Sequence, residues 1–163
     1  MTAAVVTGTA RLTCRVNGEE VRADVPVRRN LLDFLRNDLG LTGSHAGCEH
    51  GVCGACTILV DGVSVRGCLM LAVQAEGCEV VTVEGLADSG RSAALAAAFT
   101  ARNALQCGFC TPGMIASALE YIEGGGGADR AAIRAHLSGN YCRCTGYQAI
   151  VDAVCDVIGG AGK

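Results

Sequence analysis

Aromatic side chains are scarce in this sequence. Tryptophan is absent and only 4% of the 163 residues are aromatic, although half of the residues are hydrophobic. The chain can therefore form hydrophobic cores, as one domain or as two small ones. Small residues such as alanine, glycine and valine must fill much of those cores.

Excess positive charge and long apolar runs are also missing. The formal net charge is −3, which gives no indication of nucleic acid binding. No apolar run reaches the length of a membrane-spanning helix, roughly 20 residues. The first residues lack the basic and then apolar pattern of a secretory signal. We therefore expect a cytoplasmic protein with no membrane span, in a compartment where disulfides rarely persist.

Cysteine, by contrast, is abundant, with eleven residues. Three of them are isolated in the sequence, and we expect these to be small buried hydrophobic side chains. They are Cys14, Cys78 and Cys155. The other eight fall into two groups of four with the spacing of metal ligands.

The first group has the plant-type spacing of a 2Fe–2S cluster. Cys48, Cys53 and Cys56 form a Cys-x4-Cys-x2-Cys run, and Cys68 follows after eleven further residues. Three thiolates on one tight loop can wrap a compact cluster, and a fourth from the next element completes its ligands. The loop is also rich in glycine, which lets backbone N–H groups approach the cluster sulfurs. We call these four residues the first cysteine set.

Two histidines beside this run, His45 and His50, raise the alternative of a Rieske centre. In such a centre two histidines replace two cysteines on one iron. Because all four cysteines are present, we expect both histidines to be surface or hydrogen-bonding residues instead.

The second group combines Cys107-x2-Cys110 with Cys142-x-Cys144, and 31 residues separate the two pairs. Four cysteines in two close pairs are typical of a zinc site as well as of an iron–sulfur cluster. The pattern alone leaves both open, and the neighbouring plant-type run favours iron. We call these four residues the second cysteine set.

Alternating apolar residues predict a small mixed sheet, packed on one helix, in the first half. Asn17-Gly18 is a strong hairpin signal, and Asn30 is placed to cap the helix that follows. The expected elements are strands at 12–16, 21–25, 57–60, 63–66 and 79–83 and helices at 31–38 and 69–75.

The alternation stops near residue 85, and the rest of the chain is alanine-rich and helical in pattern. Thr111 is expected to cap a helix with Pro112 at its first position, and Asp129 and Thr145 are expected to cap two others. The expected helices lie at 91–104, 112–123, 130–137 and 147–158. We therefore divide the chain into an α+β unit at 10–85, an all-α unit at 86–158, and tails at 1–9 and 159–163.

The cysteine motifs resemble those of one known family. They lie in segments 47–57, 67–68, 106–113 and 137–147, which read GCEHGVCGACT, GC, QCGFCTPG and LSGNYCRCTGY. In order and spacing they are similar to the 2Fe–2S subunit of molybdenum hydroxylases, the family of xanthine dehydrogenase, aldehyde oxidoreductase and aerobic carbon monoxide dehydrogenase. The resemblance covers roughly residues 10–158.

This resemblance implies a fold and a function. The fold would be α+β, with an N-terminal β-grasp ferredoxin-like domain followed by an all-α four-helix domain, each holding one 2Fe–2S cluster. The chain would relay electrons from molybdopterin in a large subunit, through the second and then the first cysteine set, to FAD in a medium subunit. Gln106 and Cys144 match the positions that contact the pterin cofactor. The partners would form a hetero-oligomer, for which a dimer of heterotrimers is one arrangement.

Two rival functions remain open at this stage. One is a free-standing soluble ferredoxin, although a diffusing carrier needs no second helical domain and is usually more acidic. The other is a zinc-stabilised interaction module, which the second cysteine set alone supports. The sequence contains no nucleophile with a base and no dinucleotide fingerprint, so we expect no substrate chemistry on this chain.

Overall fold

A five-stranded sheet and six helices form the described part of the chain, which is residues 8–160 of a computed structural model. The strands are β1 (Thr9–Val16), β2 (Glu19–Pro26), β3 (Thr57–Val60), β4 (Val63–Arg66) and β5 (Glu79–Val81). The helices are α1 (Leu31–Asp33), α2 (Val83–Asp88), α3 (Ala93–Ala101), α4 (Thr111–Glu123), α5 (Arg130–His136) and α6 (Gln148–Gly160). The protein is therefore of mixed α/β class, with the sheet in its first half.

The sheet has the strand order β2-β1-β5-β3-β4. β1 and β2 form the predicted antiparallel hairpin, whose turn places Asn17 and Gly18 at φ values of 53° and 85°. β5 then runs parallel to β1 and antiparallel to β3. The alternation predicted for β1 is confirmed, because Leu12, Cys14 and Val16 are all buried.

The first helix begins as predicted. Asn30 caps α1, since its side-chain oxygen accepts a hydrogen bond from the Asp33 N–H at 2.7 Å. The helix continues as a π-helical segment over Phe34–Asp38. It buries Leu31 and Phe34 in the same core as the inward side chains of β1 and β5, so this helix covers one face of the sheet.

β3 lies between two hydrophobic cores. Ile58 packs in the core of the sheet and α1, whereas Leu59 packs in a second core with Phe99 of α3 and Met114 of α4. All four residues of β3 are buried, which explains its uninterrupted apolar run Ile58–Val60, since a strand covered on both faces needs no polar side. The helical half is therefore packed directly against the sheet.

Helices are present at or near all four positions predicted for the second half, as α3 to α6. Asp129 caps α5 as expected, with its carboxylate accepting from the Ala131 N–H at 3.0 Å. The other two predicted caps are wrong. Cys110 rather than Thr111 occupies the N-cap position of α4. Thr145 precedes the start of α6 by three residues, and its hydroxyl contacts a cysteine of the second set instead.

Two other predictions in the first half need correction. The helix predicted over 69–75 is reduced to a 3-10 turn over Ala72–Ala75, because Leu71 before it is extended and the Met70 carbonyl accepts from the Leu31 N–H at 2.7 Å. The strand predicted over 79–83 ends at Val81, and the short helix α2 that follows was not predicted. The expected unit boundary at 85 falls inside α2.

The predicted tails lie mostly outside the described residues, which exclude 1–7 and 161–163. Thr9 already belongs to β1, and residues 159 and 160 belong to α6. Between residues 8 and 160, the helices are all too short or too polar to cross a lipid bilayer.

The two halves meet where glycines bring backbone against backbone. Gly113, in the first turn of α4, lies so close to the loop before β3 that a Cβ atom on it would overlap the Gly54 carbonyl oxygen. Gly54 itself has a φ of 73°, and a Cβ there would lie 2.5 Å from the Gly139 carbonyl oxygen. Neither position therefore accepts a side chain without movement of the backbone.

This contact can be tested by adding one methyl group. Gly113→Ala should lower the free energy of unfolding by about 1–3 kcal/mol, the range for overpacking, although alanine is the better helix former. Gly159→Ala is the matched control, because Gly159 lies in α6 with open space around it, and it should leave stability unchanged or raise it by up to about 1 kcal/mol. Urea unfolding measures both variants, and equal effects would contradict the close contact.

Candidate iron–sulfur sites

The first cysteine set lies on a loop that joins the first helix to β3, with its last member after β4. Glu49 and Gly51 have φ values of 57° and 83°, so the loop turns back on itself in the left-handed region. Gly47 lies against the set, because a Cβ there would be 3.0 Å from the Cys53 sulfur. The small residues noted in the sequence thus leave room for the chain to wrap closely around the thiols.

The pKa values of two thiols in this set are shifted in opposite directions. The backbone N–H of Cys53 donates to the Cys48 sulfur at 3.3 Å, and this backbone hydrogen bond, together with one from His50, lowers the pKa of Cys48 to about 6. Burial raises the pKa of Cys56 to about 11. Metal binding requires the thiolate, and Cys48 reaches that form more easily than Cys56 does.

The second cysteine set joins the starts of two helices. Cys107 and Cys110 immediately precede α4, and Cys142 and Cys144 lie between a 3-10 turn at Leu137–Gly139 and α6. The sulfurs of Cys107 and Cys144 are 3.5 Å apart. Cys110 occupies the N-cap position of α4, so this thiol lies at the positive end of the helix dipole.

The other two thiols of the second set also form a pair. Burial, together with a hydrogen bond that Cys110 donates to Cys142, raises the pKa of Cys110 to about 12. Burial also acts to raise the pKa of Cys142, but hydrogen bonds from Thr145 prevail and lower it. The Thr145 hydroxyl and N–H lie 3.1 Å and 3.4 Å from the Cys142 sulfur. One thiol of this pair is therefore prepared as a thiolate.

The number of cysteines in each set fits a binuclear cluster. Each iron of a 2Fe–2S centre takes two protein ligands, so four cysteines can supply both irons. Within residues 8–160, no group of three or more ligand-type side chains is close enough to hold one metal ion. All eleven cysteines, which lie inside this range, are free thiols.

The three isolated cysteines and the histidines His45 and His50 lie outside the two cysteine sets. Cys14 is buried as expected, whereas Cys78 and Cys155 are partly exposed. His45 reaches across to the helical half, where its Nδ1 lies 2.7 Å from the Phe109 carbonyl oxygen and its ring stacks on the Phe109 ring. Nδ1 of His50 bonds the Cys48 carbonyl oxygen.

Gln106 and Cys144 are brought together at the surface. The side-chain amide of Gln106 donates to the Cys144 carbonyl oxygen at 3.2 Å. Both residues are exposed, as is Cys107. The second set therefore presents one edge to the solvent, and Gln106 lies on that edge.

Several residues around the sites were not found from the sequence. Asn140 is 2% exposed and bonds Gly54 and Thr57 in the other half. The hydroxyl of Tyr147 accepts from the Cys142 N–H at 2.9 Å. Both residues belong to the segment that carries Cys142 and Cys144, but nothing in their spacing indicates which partners they contact.

Two family profiles match the chain. Residues 14–107 match a 2Fe-2S iron-sulfur cluster binding domain, and residues 82–155 match a second 2Fe-2S binding domain. Together they span both cysteine sets, so the chain contains two 2Fe–2S binding domains.

Characterised proteins match nearly the whole chain. The nicotine 6-hydroxylase small subunit of Paenarthrobacter nicotinovorans is 52% identical, over 91% of this chain and 89% of that protein. The xanthine dehydrogenase iron-sulfur-binding subunit of Escherichia coli O157:H7 is 41% identical, over 91% and 94%. A crystal structure of quinoline 2-oxidoreductase from Pseudomonas putida 86 superimposes with a TM-score of 0.86 at 45% identity, over 94% of this chain and 95% of that one. The chain therefore belongs to the family of 2Fe–2S iron–sulfur subunits of molybdenum hydroxylases.

Proposed function

We propose that this chain is the electron-transfer subunit of a multi-subunit molybdenum hydroxylase. It relays electrons from the molybdopterin centre of a large subunit, through two 2Fe–2S clusters, to a flavin subunit. The observation that carries this proposal is the grouping of eight free thiols into two sets of four, one in each of two 2Fe–2S binding domains.

The cluster ligands are assigned set by set. One cluster is held by Cys48, Cys53, Cys56 and Cys68, and the other by Cys107, Cys110, Cys142 and Cys144. The contact between the Cys107 and Cys144 sulfurs supports this assignment, as do the N–H and hydroxyl donors aimed at Cys48 and Cys142. Such donors stabilise an anionic cluster and raise its reduction potential.

The fold supports a division into two cluster domains. We assign residues 10–85 to a β-grasp ferredoxin-like domain, whose mixed sheet is covered by one helix, and residues 86–158 to a four-helix domain built from α3 to α6. The separate hydrophobic cores on the two faces of β3 support this division. Each domain would then supply the complete ligand set of one cluster.

The exposed edge of the second set is assigned to the molybdopterin side. Cys107, Cys144 and Gln106 are exposed there, whereas Cys56 of the first set is buried. Gln106 and Cys144 would contact the pterin, and the side chain of Gln106 is already held against Cys144 by its hydrogen bond. Electrons would enter at this edge and leave from the first set towards FAD.

The partners follow from the same assignment. Relatives are named as subunits, including caffeine dehydrogenase subunit gamma of Pseudomonas sp. (strain CBB1), 51% identical over 88% of this chain and 87% of that protein. We assign this chain to a cytoplasmic hetero-oligomer with a molybdopterin-binding large subunit and an FAD-binding medium subunit, arranged as a dimer of heterotrimers.

The chemical role of this chain is to conduct electrons between the redox centres of its partner subunits. When bound, the clusters supply two one-electron carriers. The polypeptide holds their thiolates, directs N–H groups at the sulfurs and excludes water from Cys56 and its surroundings. Substrate oxidation would take place on the large subunit, so this chain determines how fast electrons leave that subunit and not which substrate is chosen.

Metal content and co-purification test this function together. The purified chain should be reddish-brown and contain about four irons, as two binuclear clusters require, and it should co-purify with molybdopterin and flavin subunits. Zinc without visible absorption would eliminate electron transfer. A lone iron-containing monomer would instead favour a free-standing ferredoxin.

Loss of one ligand should remove one cluster. Cys110→Ser replaces a thiolate by a poor ligand for iron, so the iron content should fall from about four to about two, with one of two EPR signals lost. Cys155→Ser is the matched control, because Cys155 lies outside both sets and makes a weak contact to the Ala128 carbonyl oxygen. Equal loss of both signals in Cys110→Ser would contradict two separate sites.

A further inference from the structure

A ring of hydrogen bonds closes on Cys142 of the second cysteine set. The hydroxyl of Thr145 donates to the Cys142 sulfur at 3.1 Å, and the N–H of Thr145 donates to the same sulfur at 3.4 Å. The N–H of Tyr147 donates to the Thr145 hydroxyl oxygen at 3.2 Å. The hydroxyl of Tyr147 in turn accepts from the Cys142 N–H at 2.9 Å. The ring therefore begins and ends at the same cluster ligand.

This ring determines where the proton of the Thr145 hydroxyl points. A hydroxyl has one proton and two lone pairs, and here the Tyr147 N–H occupies one lone pair. Metal binding requires the thiolate form of Cys142, so in the loaded protein this sulfur can only accept. Within residues 8–160, Thr145 is the only residue whose hydroxyl donates to a cysteine of either set. Cys142 therefore has a donor that the other ligands lack.

The backbone at Tyr147 has a conformation that few large residues adopt. Its φ is 69°, and Gly146 before it has a φ of 67°. Two successive left-handed residues turn the chain back on itself, and the Tyr147 hydroxyl thereby reaches the backbone of Cys142. A positive φ is costly for a bulky residue, and such strain is concentrated at functional sites. The conformation of Tyr147 therefore calls for a role of this residue beyond packing.

The start of α6 does not account for the whole of this arrangement. It uses the backbone of Tyr147, whose carbonyl oxygen accepts from the Val151 N–H at 3.0 Å. The ring of Tyr147 packs against the core of the helical half, and neither contact needs the phenol hydroxyl. That hydroxyl bonds a cluster ligand instead, so it serves Cys142 and not the helix.

We propose that the Thr145 hydroxyl raises the reduction potential of the cluster on the second set, and that Tyr147 is the residue that positions this hydroxyl. This inference rests on the proposed function. A hydrogen bond to a ligand thiolate stabilises the reduced cluster more than the oxidised one, because the reduced cluster carries one more negative charge. Reduction adds one electron, which comes from the molybdopterin centre of the large subunit. Thr145 keeps its proton, and no covalent bond changes.

Removing only the hydroxyl tests the role of Thr145. Thr145→Val keeps the N–H and nearly the size of threonine, and the equilibrium constant for reduction of the second cluster should fall roughly tenfold, as expected for one lost hydrogen bond to a charged acceptor. For a one-electron couple, this corresponds to a potential about 59 mV lower. Thr145→Ser keeps the hydroxyl and should keep the wild-type value. Thr100→Val is the matched control, because the Thr100 hydroxyl bonds the Ala96 carbonyl oxygen within α3 and neither cysteine set.

Tyr147→Phe tests the positioning role. This change removes the hydroxyl that accepts from the Cys142 N–H but keeps the ring that packs in the core. It should lower the potential of the second cluster in the same direction as Thr145→Val. The double variant should fall no further than Thr145→Val alone, because Tyr147 acts through Thr145. A merely structural role for Tyr147 would change the free energy of unfolding and leave the potential at its wild-type value.

The measurement is a redox titration of the iron-loaded complex, followed by EPR. The first cluster is the internal reference, and its potential should be the same in every variant. Electron–nuclear double resonance of the reduced complex in H2O and in D2O adds a direct signature. One exchangeable proton coupled to the second cluster should be present in wild type and Thr145→Ser and absent in Thr145→Val. Thr145→Ala replaces the valine variant if valine does not retain both clusters.

The outcomes separate the hydroxyl from the function. If Thr145→Val holds about four irons and both clusters titrate at the wild-type potentials, the role of Thr145 is overturned and the electron-transfer function stands. Equal shifts of both clusters would also overturn it, since the hydroxyl contacts one set only. If the wild-type complex shows no second iron signal at all, the proposed function itself fails.

Discussion

The close approach of two backbone segments is the constraint on which the rest of this structure depends. In the loop that carries the first cysteine set, the carbonyl oxygen of Gly54 accepts a hydrogen bond from the Asn140 side chain, and that of Cys53 accepts one from the Tyr141 N–H. Gly54 and Gly113 permit this approach because neither carries a side chain. Each segment is continuous with a cysteine set, so fixing the backbone also fixes the separation of the two sets. A chain with 23 glycines and few aromatic residues suits such backbone packing.

The two hydrophobic cores are also held together, because β3 is buried on both faces and belongs to both. Ile58 and Leu59 point to opposite cores, and Thr57, which is 2% exposed, bonds Asn140 at the junction. The strand that follows the first cluster loop is thus also the strand on which α4 packs. A change in the loop that carries the first cysteine set would therefore affect the packing of the helical half, because β3 follows this loop and contacts both cores.

The sequence predicted those features that depend on local spacing. The hairpin at Asn17 and the cap at Asn30 are determined by residues a few positions apart. The helix expected over 69–75 was wrong because its first residues pair with a distant segment. Asn140 could not be found in this way, since its partners Gly54 and Thr57 are 86 and 83 positions distant, and only the folded chain brings them together.

The unequal exposure of the two sets bears on why this chain needs partners. Cys107 and Cys144 are exposed, whereas Cys56 is buried. Solvent access to a cluster alters its reduction potential and leaves thiolates open to oxidation. A partner subunit that covers the edge formed by Gln106, Cys107 and Cys144 would remove both effects. A chain with this asymmetry fits a subunit docked on its electron donor better than a carrier that diffuses alone.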